Sequence, residues 1–364
     1  MHSRRAFLGA AAALSAAALT RRARGEPFDG ELCHPVDPPP SSTFTMWEYD
    51  KSPFYGAPSR VLVATPKVIP PEGLPMVILL PGGHHNMQGY KTGVWGWWDE
   101  YKLGQADTAL RRGGLTDKDF EHLSRPSDLE RMNGALAAKP YRGMVMITPW
   151  VVGRQLQPGP HGAMVTEFLR MLVARAHKEL PVIPTRAATG VGGMSSGGLW
   201  AIYSGSACAD LFSTVVGIQP FTEELLDPLR AAVLARSQPQ RLRFLTAKDD
   251  HQRKPTEALC AALAKDGVPF ELEVFRGAHS AEFAAGPGAL DALLTFDRAL
   301  RGEGLDGSHP LPSRDGLALP APFADDPPKH PPLAEHAARP TAGWPLAAVG
   351  AATAVGAAVA LRRV

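Results

Sequence analysis

Cysteine is scarce in this sequence: Cys33, Cys208 and Cys260 are the only three among 364 residues. Three scattered cysteines are too few for a disulfide framework, and no two stand at the close spacing of a metal-binding knuckle. At most one disulfide bridge can form. The sequence therefore excludes a small disulfide-stabilised module, and buried or idle thiols are the simpler expectation.

An excess of charge of one sign is also lacking. The 38 lysines and arginines oppose 36 aspartates and glutamates, which leaves a formal net charge of +2. Such a balance provides no broad positive field that would attract nucleic acid, so we expect no nucleic-acid partner. A hydrophobic content of 45% is enough for a large core, and a single domain of roughly 250 residues fits within the length.

The N-terminus has the pattern of an export signal. Arg4 and Arg5 precede an alanine-rich apolar run, and residues 23–25 offer a small-x-small cleavage site. This pattern resembles a twin-arginine signal, so residues 1–25 are predicted to be a signal peptide. The expected location is outside the cytoplasm, in the periplasm or another extracytoplasmic compartment.

Proline is abundant towards the C-terminus, where apolar periodicity is lacking. Residues 302–343 are predicted to form an extended proline-rich linker. Residues 344–361 are uncharged and close to the roughly 20 residues that a membrane-spanning helix needs. A transmembrane or processed sorting tail is the expectation and would bring membrane contact, while a free C-terminus is the alternative.

From about residue 43 to residue 301, short apolar runs alternate with amphipathic segments. This alternation is typical of the α/β class, with a mostly parallel sheet and helices on both faces. The predicted strands are residues 61–64, 76–80, 144–148, 187–190, 215–219, 243–246 and 271–275. The predicted helices are residues 128–138, 164–180, 198–206, 255–266 and 289–300.

A long connection interrupts this alternation. Residues 91–125 carry Trp95, Trp97, Trp98 and Tyr101. Long ordered insertions tend to be functional, which favours a cap over a site. The alternative is that the aromatic side chains fill an outer part of the core.

Residues 193–197 read Gly-Met-Ser-Ser-Gly and join a predicted strand to a predicted helix. The pattern G-x-S-x-G at such a junction is typical of a nucleophile elbow, a strained turn that lifts a serine hydroxyl above the sheet. Ser195 is the candidate nucleophile. Ser196 is the rival, but a frame centred on it has Met194 where the leading glycine should stand. The backbone N–H of Ser196 is a candidate oxyanion donor.

A second oxyanion donor is expected from the loop that follows an earlier strand. Residues 81–85 read Pro-Gly-Gly-His-His, and the glycines let the main chain turn an N–H towards a substrate oxygen. Gly83 or His84 is the candidate. Paired histidines can indicate a metal, but no matching ligand cluster stands near them in the sequence. We therefore predict no metal and no cofactor.

A serine nucleophile needs a base, and the base needs a carboxylate that orients it. After Ser195, one apolar strand ends at Asp249 and Asp250, and a later one ends shortly before His279. Both lie at strand carboxyl ends, where such folds gather their ligands. His279 is the predicted base, and Asp249 is the preferred acid with Asp250 as the alternative. His251 is interpreted as a surface residue.

Residues 161–221, which include the elbow, resemble the esterase branch of the α/β-hydrolases, a group with esterase D-like, feruloyl and polyester-cleaving enzymes. The resemblance returns at residues 248–250 and 277–279. It implies an α/β-hydrolase fold and cleavage of a small-molecule or polysaccharide-linked carboxylic ester through an acyl-serine intermediate, without a cofactor. Pro81 stands where the family frequently has a histidine. The insertion 91–125 matches no family pattern, which leaves the substrate open.

Three functions follow from these features. The first is an exported serine esterase that uses the residues named above. The second is an acyltransferase that keeps the same nucleophile and passes the acyl group to an envelope sugar or lipid hydroxyl. The third is a catalytically silent hydrolase fold that acts as a binding or scaffold module.

Overall fold

The computed structural model describes residues 32–54, 56–151 and 159–303. Within this part of the chain, eight strands form one sheet. They are β1 (Ser42–Tyr49), β2 (Ser59–Pro66), β3 (Met76–Leu80), β4 (Val145–Pro149), β5 (Thr189–Met194), β6 (Thr214–Ile218), β7 (Arg241–Ala247) and β8 (Glu271–Phe275). Every predicted strand overlaps one of these elements, and β1 is the strand that the sequence analysis missed.

The strand order is β1-β2-β4-β3-β5-β6-β7-β8. The first two strands pair antiparallel with each other, and β2 pairs antiparallel with β4. From β4 to β8 every neighbouring pair is parallel. A mostly parallel sheet of this order, with a serine at the turn after its central strand β5, is the α/β-hydrolase arrangement that was predicted.

Helices connect the parallel strands. They are α1 (Gly83–Met87), α2 (Leu103–Arg112), α3 (Pro126–Ala138), α4 (Gly159–Glu179), α5 (Ser196–Ala207), α6 (Leu226–Leu234), α7 (Arg253–Lys265), α8 (Ala281–Phe283) and α9 (Ala289–Ala299). Short 3-10 turns lie at Gly93–Trp95, Asp117–Phe120 and Arg186–Ala188, and a π-helical turn lies at Ala284–Gly288. The five predicted helices correspond to α3, α4, α5, α7 and α9.

Two apolar cores cover the two faces of the sheet, because successive side chains of a strand point in opposite directions. In β2, Val61 and Val63 face the first core while Leu62 and Ala64 face the second. The first core is completed by α4, α5, α6 and α7, and the second by α2, α3 and α9. Strands buried on both faces read as continuous apolar runs, which is why the sequence revealed them.

The segment 91–125 packs into the second core. Trp97, Trp98 and Tyr101 are each at most 5% exposed and contact the sheet side of that core. The Trp98 indole N–H donates a hydrogen bond to Thr148 Oγ1 in β4 (2.9 Å). These aromatic side chains therefore fill part of the core, which was the second of the two interpretations. A role of residues 91–125 as a cap over the substrate remains a prediction.

The chain divides into two compact units, residues 1–321 and 322–364, and every described residue belongs to the first. The predicted signal peptide (1–25) and tail (344–361) lie outside the described residues, as does the linker (302–343) beyond residue 303. In the described part of the chain, no helix combines the length and apolar character needed to cross a bilayer. All three cysteines are buried and carry free thiols.

Candidate active site

Ser195 occupies the turn between β5 and α5 in a strained backbone conformation. Its φ is 55° and its ψ is −116°, a region that non-glycine residues rarely adopt. The turn is this tight because glycines flank it. A Cβ on Gly193 would lie 2.3 Å from the Gly197 carbonyl oxygen, and one on Gly197 would lie 2.2 Å from the carbonyl oxygen of Leu80. No larger residue fits at either position, which gives the G-x-S-x-G pattern its physical reason.

The elbow is anchored to the neighbouring strand β6. The Ser195 backbone N–H donates to the carbonyl oxygen of Ile218 (2.9 Å), and the Phe221 N–H donates to the Ser195 carbonyl oxygen (3.0 Å). These bonds hold the strained turn in place, so the serine hydroxyl is presented from a rigid support at the carboxyl edge of the sheet. Ser195 itself is half-buried.

His279 reaches Ser195 from the loop after β8. Its Nε2 lies 3.0 Å from Ser195 Oγ, and its Nδ1 lies 2.9 Å from Asp250 Oδ1. One neutral tautomer serves both bonds, since Nδ1–H donates to the carboxylate while Nε2 accepts the hydroxyl proton. The structure therefore brings the predicted nucleophile, the predicted base and one of the two candidate acids into hydrogen-bond distance, and their catalytic roles stay predictions.

The carboxylate that contacts His279 is that of Asp250, the alternative in the sequence analysis, and not that of Asp249. The Asp250 side chain is fully buried behind the imidazole, whereas Asp249 is exposed and its N–H donates to the Gly277 carbonyl oxygen (2.9 Å). The Asp250 N–H closes a turn onto the Ala247 carbonyl oxygen (3.2 Å). This turn directs residue 250 inward and residue 249 towards solvent, so the geometry reverses the preferred order of the two acids.

Asp250 is held in its ionised form. Burial acts to raise the pKa of this carboxyl, but hydrogen bonds from His279, the Gln252 N–H and the Thr246 hydroxyl outweigh burial and lower the pKa below its usual range. The Gln252 N–H donates to Oδ1 (2.8 Å) and Thr246 Oγ1 donates to Oδ2 (2.9 Å). At neutral pH the group is therefore a carboxylate with both oxygens occupied.

Gln219 is a residue that the sequence analysis did not single out. It is fully buried at the end of β6 and has a positive φ of 42°. Its Nε2 donates to the Ala278 carbonyl oxygen (2.7 Å), and its Oε1 accepts from the Ser280 N–H (3.4 Å). The amide thus holds the backbone on both sides of His279. The only available signal was a polar residue at the carboxyl end of a strand.

The candidate oxyanion loop lies beside the elbow. A Cβ on Gly82 would be 3.8 Å from the Ser195 Cβ, so residues 81–85 pass close to the nucleophile. Helix α1 begins at Gly83, so the N–H groups of Gly83 and His84 belong to its first turn. Ser196 likewise begins α5. The N–H groups of Gly83, His84 and Ser196 thus lie at helix starts close to Ser195. Their role as oxyanion donors stays a prediction.

His251 lies next to the catalytic constellation. Its side chain is 62% exposed, and its ring centroid is 4.6 Å from that of His279. Donor atoms of Asp250, His251 and His279 come within 4.8 Å of one another, which is close enough for a cation. Since Asp250 and His279 already serve the bond to Ser195, a cation here would compete with that arrangement.

Comparison with known proteins gives similarity of fold only. No protein-family model and no curated protein matches the chain. Among solved structures, a ferulic acid esterase shares 16% identity, with 70% of this chain and 97% of that one covered and a TM-score of 0.49. S-formylglutathione hydrolase FrmB from Staphylococcus aureus shares 14% identity, with 71% and 99% covered and a TM-score of 0.49. A ferulic acid esterase from the anaerobic fungus Anaeromyces mucronatus shares 14% identity, with 76% and 94% covered and a TM-score of 0.46. Similarity at this level does not extend to the reaction.

Proposed function

We propose that this protein is a serine esterase that hydrolyses carboxylic esters through an acyl-serine intermediate. One observation carries the proposal: His279 lies within hydrogen-bond distance of both the Ser195 hydroxyl and the Asp250 carboxylate. The three groups come from three separate loops at one edge of the sheet. Their convergence with a strained elbow is what activation of a serine nucleophile requires.

In the acylation step Ser195 Oγ forms a bond to the ester carbonyl carbon while its proton passes to His279 Nε2. The imidazolium is stabilised by the Asp250 carboxylate. The N–H of Ser196 and that of Gly83 or His84 donate to the oxygen that becomes negative. When the carbon–oxygen bond to the alcohol breaks, His279 returns the proton to the leaving alkoxide.

In the deacylation step water replaces the alcohol. His279 takes a proton from water, the hydroxyl attacks the acyl carbon, and Ser195 leaves with the proton restored, so the carboxylic acid is released. A sugar or lipid hydroxyl in place of water would make the protein an acyltransferase. An intact set of three bonded groups speaks against a silent scaffold, since such a module has no use for a buried carboxylate behind a histidine.

Export through the signal pattern in residues 1–25 is part of the proposal. It is supported by the paired arginines ahead of an apolar run. An enzyme outside the cytoplasm would meet esters of small molecules or of polysaccharides. The tail at residues 344–361 would then keep the esterase close to the membrane.

The proposed activity is tested with a panel of p-nitrophenyl esters of increasing acyl length, together with acetylated and feruloylated sugars. We expect saturable hydrolysis of at least one ester without added metal, with free carboxylic acid as the product even when acceptor alcohols are present. Mass spectrometry of the products separates the two reactions. Transferred ester as the main product would identify an acyltransferase, and no turnover of any ester would contradict both.

Gln219→Met is expected to lower kcat by roughly 10- to 100-fold with little change in KM, because the His279 loop loses both of its amide contacts and the imidazole shifts from the nucleophile. The matched control is Gln240→Met. Gln240 is also buried, and its Nε2 donates to the Gly205 and Phe212 carbonyl oxygens. The control should lose stability with kcat retained, and an equal fall of kcat in both variants would show a merely structural role for Gln219.

A further inference from the structure

Three potential metal ligands that are distant in sequence meet beside the oxyanion loop. Cys33, His85 and Glu100 each place a donor atom within 4.8 Å of the others. Cys33 and His85 are buried, and the Glu100 side chain is one-third exposed. None of the three belongs to the hydrogen-bonded set at Ser195. We call them the Cys33–His85–Glu100 cluster.

A fourth donor borders the cluster. His85 Nε2 lies 2.5 Å from Glu100 Oε2, and His84 Nε2 lies 3.7 Å from the same oxygen. The His84 side chain is partly exposed. The structure thus brings one thiol, one imidazole and one carboxylate within 4.8 Å of one another, and a second imidazole lies beside the carboxylate.

The N-terminal segment is held against this point by backbone contacts. The Cys33 N–H donates to Gln88 Oε1 (2.9 Å), and the His34 N–H donates to Asp99 Oδ2 (2.8 Å). These bonds present the Cys33 side chain to the cluster from a fixed backbone. A site that is arranged before a cation arrives needs little reorganisation to bind it.

We propose that Cys33, His84, His85 and Glu100 form a structural zinc site. Thiolate, imidazole and carboxylate are the ligands that Zn²⁺ takes, in sets of four when the site is structural. Hard cations such as Ca²⁺ and Mg²⁺ prefer oxygen donors, of which this cluster has one side chain only. Zn–N bonds of about 2.0 Å and Zn–S bonds of about 2.3 Å place tetrahedral ligands roughly 3–4 Å apart, and the donor atoms of Cys33, His85 and Glu100 already lie within 4.8 Å of one another.

Binding exchanges existing bonds in a balanced way. The Cys33 thiol loses its proton to solvent. The proton on His85 Nε2 moves by exchange with solvent to Nδ1, so that Nε2 and the Glu100 carboxylate each form one bond to the cation in place of their hydrogen bond. Burial raises the pKa of the Cys33 thiol to about 12, so without a cation this sulfur stays protonated at neutral pH.

The position of the site suggests what it does. His84 and His85 lie at the end of the candidate oxyanion loop and in the first turn of α1, and Cys33 belongs to the N-terminal segment. A cation bound to both would tie the chain ahead of β1 to the loop beside Ser195. The zinc site is argued from its own ligands and stands whether or not the protein is an esterase.

The site is tested by stripping the purified full chain with a chelator and titrating it with Co²⁺, which takes the place of Zn²⁺ and reports a thiolate ligand through sulfur-to-cobalt charge-transfer absorption. We expect one equivalent of Co²⁺ to produce this band and one equivalent of Zn²⁺ to abolish it. Zinc should also raise the melting temperature of the wild type. Absence of the band in the wild type would overturn the proposal.

Two variants and one control assign the ligands. Cys33→Ser should abolish the charge-transfer band and the zinc-dependent rise in melting temperature. Glu100→Gln keeps the fold-stabilising contact to His85 available and should weaken Zn²⁺ binding at least 10-fold, which serves if Cys33→Ser does not fold. The control is Cys260→Ser, which alters another buried free thiol in the first core. A band that persists in Cys33→Ser or disappears in Cys260→Ser contradicts the assignment.

Discussion

Replacing Ser195 with alanine is expected to lower kcat on every ester substrate by on the order of 10⁶-fold, while the fold is retained. The loss is large because the covalent step has no substitute: without Oγ, His279 has no hydroxyl to activate. Alanine removes a single oxygen from a half-buried position, so no cavity of consequence forms. The melting temperature should stay within a few degrees of the wild type.

A fluorophosphonate probe tests whether Ser195 is the nucleophile without knowledge of the substrate. The wild type should be labelled covalently, and Ser195→Ala should not. Ser196→Ala is the control, because it removes the neighbouring hydroxyl while its backbone N–H remains available to the oxyanion. It should still be labelled. Equal labelling of Ser195→Ala and the wild type would show that the elbow serine is not the nucleophile.

Replacing Asp250 with asparagine is expected to lower kcat by about 10³- to 10⁴-fold. An asparagine amide cannot accept from the His279 Nδ1–H when it presents its NH₂ group there, so the imidazole is driven towards the tautomer that cannot take the serine proton. The side chain is the same size, and substrate binding does not involve it. The loss should therefore lie in kcat and leave KM nearly unchanged.

Asp249→Asn is the matched control for this variant, since it makes the same change one residue earlier on an exposed side chain. Its kcat should stay within about threefold of the wild type, as is usual for surface substitutions. Parallel kinetics on one ester substrate give the comparison. A larger fall of kcat in Asp249→Asn than in Asp250→Asn would instead identify Asp249 as the acid, as the sequence pattern preferred.

The fold was predictable where the pattern was strong. Strands β3 and β8 match their predicted bounds, and the long amphipathic helix α4 overlaps its prediction over most of its length. These elements are buried on one or both faces, so their apolar residues recur in a pattern that depends only on local geometry. For these elements, the periodicity of apolar residues in the sequence therefore predicts which side chains are buried.

Elements with weaker patterns were missed. Strand β1 lies at the edge of the sheet, and its residues alternate between buried and partly exposed positions with few aliphatic side chains. Helix α2 lies within residues 91–125, where the tryptophans drew attention to a cap. Its buried residues Leu103, Ala106 and Leu110 do recur at the spacing of a helix, so the pattern was present and was overlooked.

The residues of the candidate site also differ in how far the sequence alone could identify them. Ser195 was identified because its turn requires glycines at the neighbouring positions where a Cβ would clash with the backbone. These glycines can be recognised in the sequence. His279 was identified by its order in the chain. The choice between Asp249 and Asp250 could not be made, because both follow the same strand and only a turn decides which side chain faces inward.

By itself the sequence determined the class of fold and the position of the strained turn at Ser195, since both rest on interactions between residues that are near one another along the chain. Only the tertiary structure decided which aspartate contacts His279, the placement of the Gln219 amide behind that histidine, and the meeting of Cys33 with His85 and Glu100. Each of these depends on the direction of a side chain set by a turn or by a neighbouring strand. Directions of that kind are fixed by contacts between distant segments, and no local pattern of residues records them.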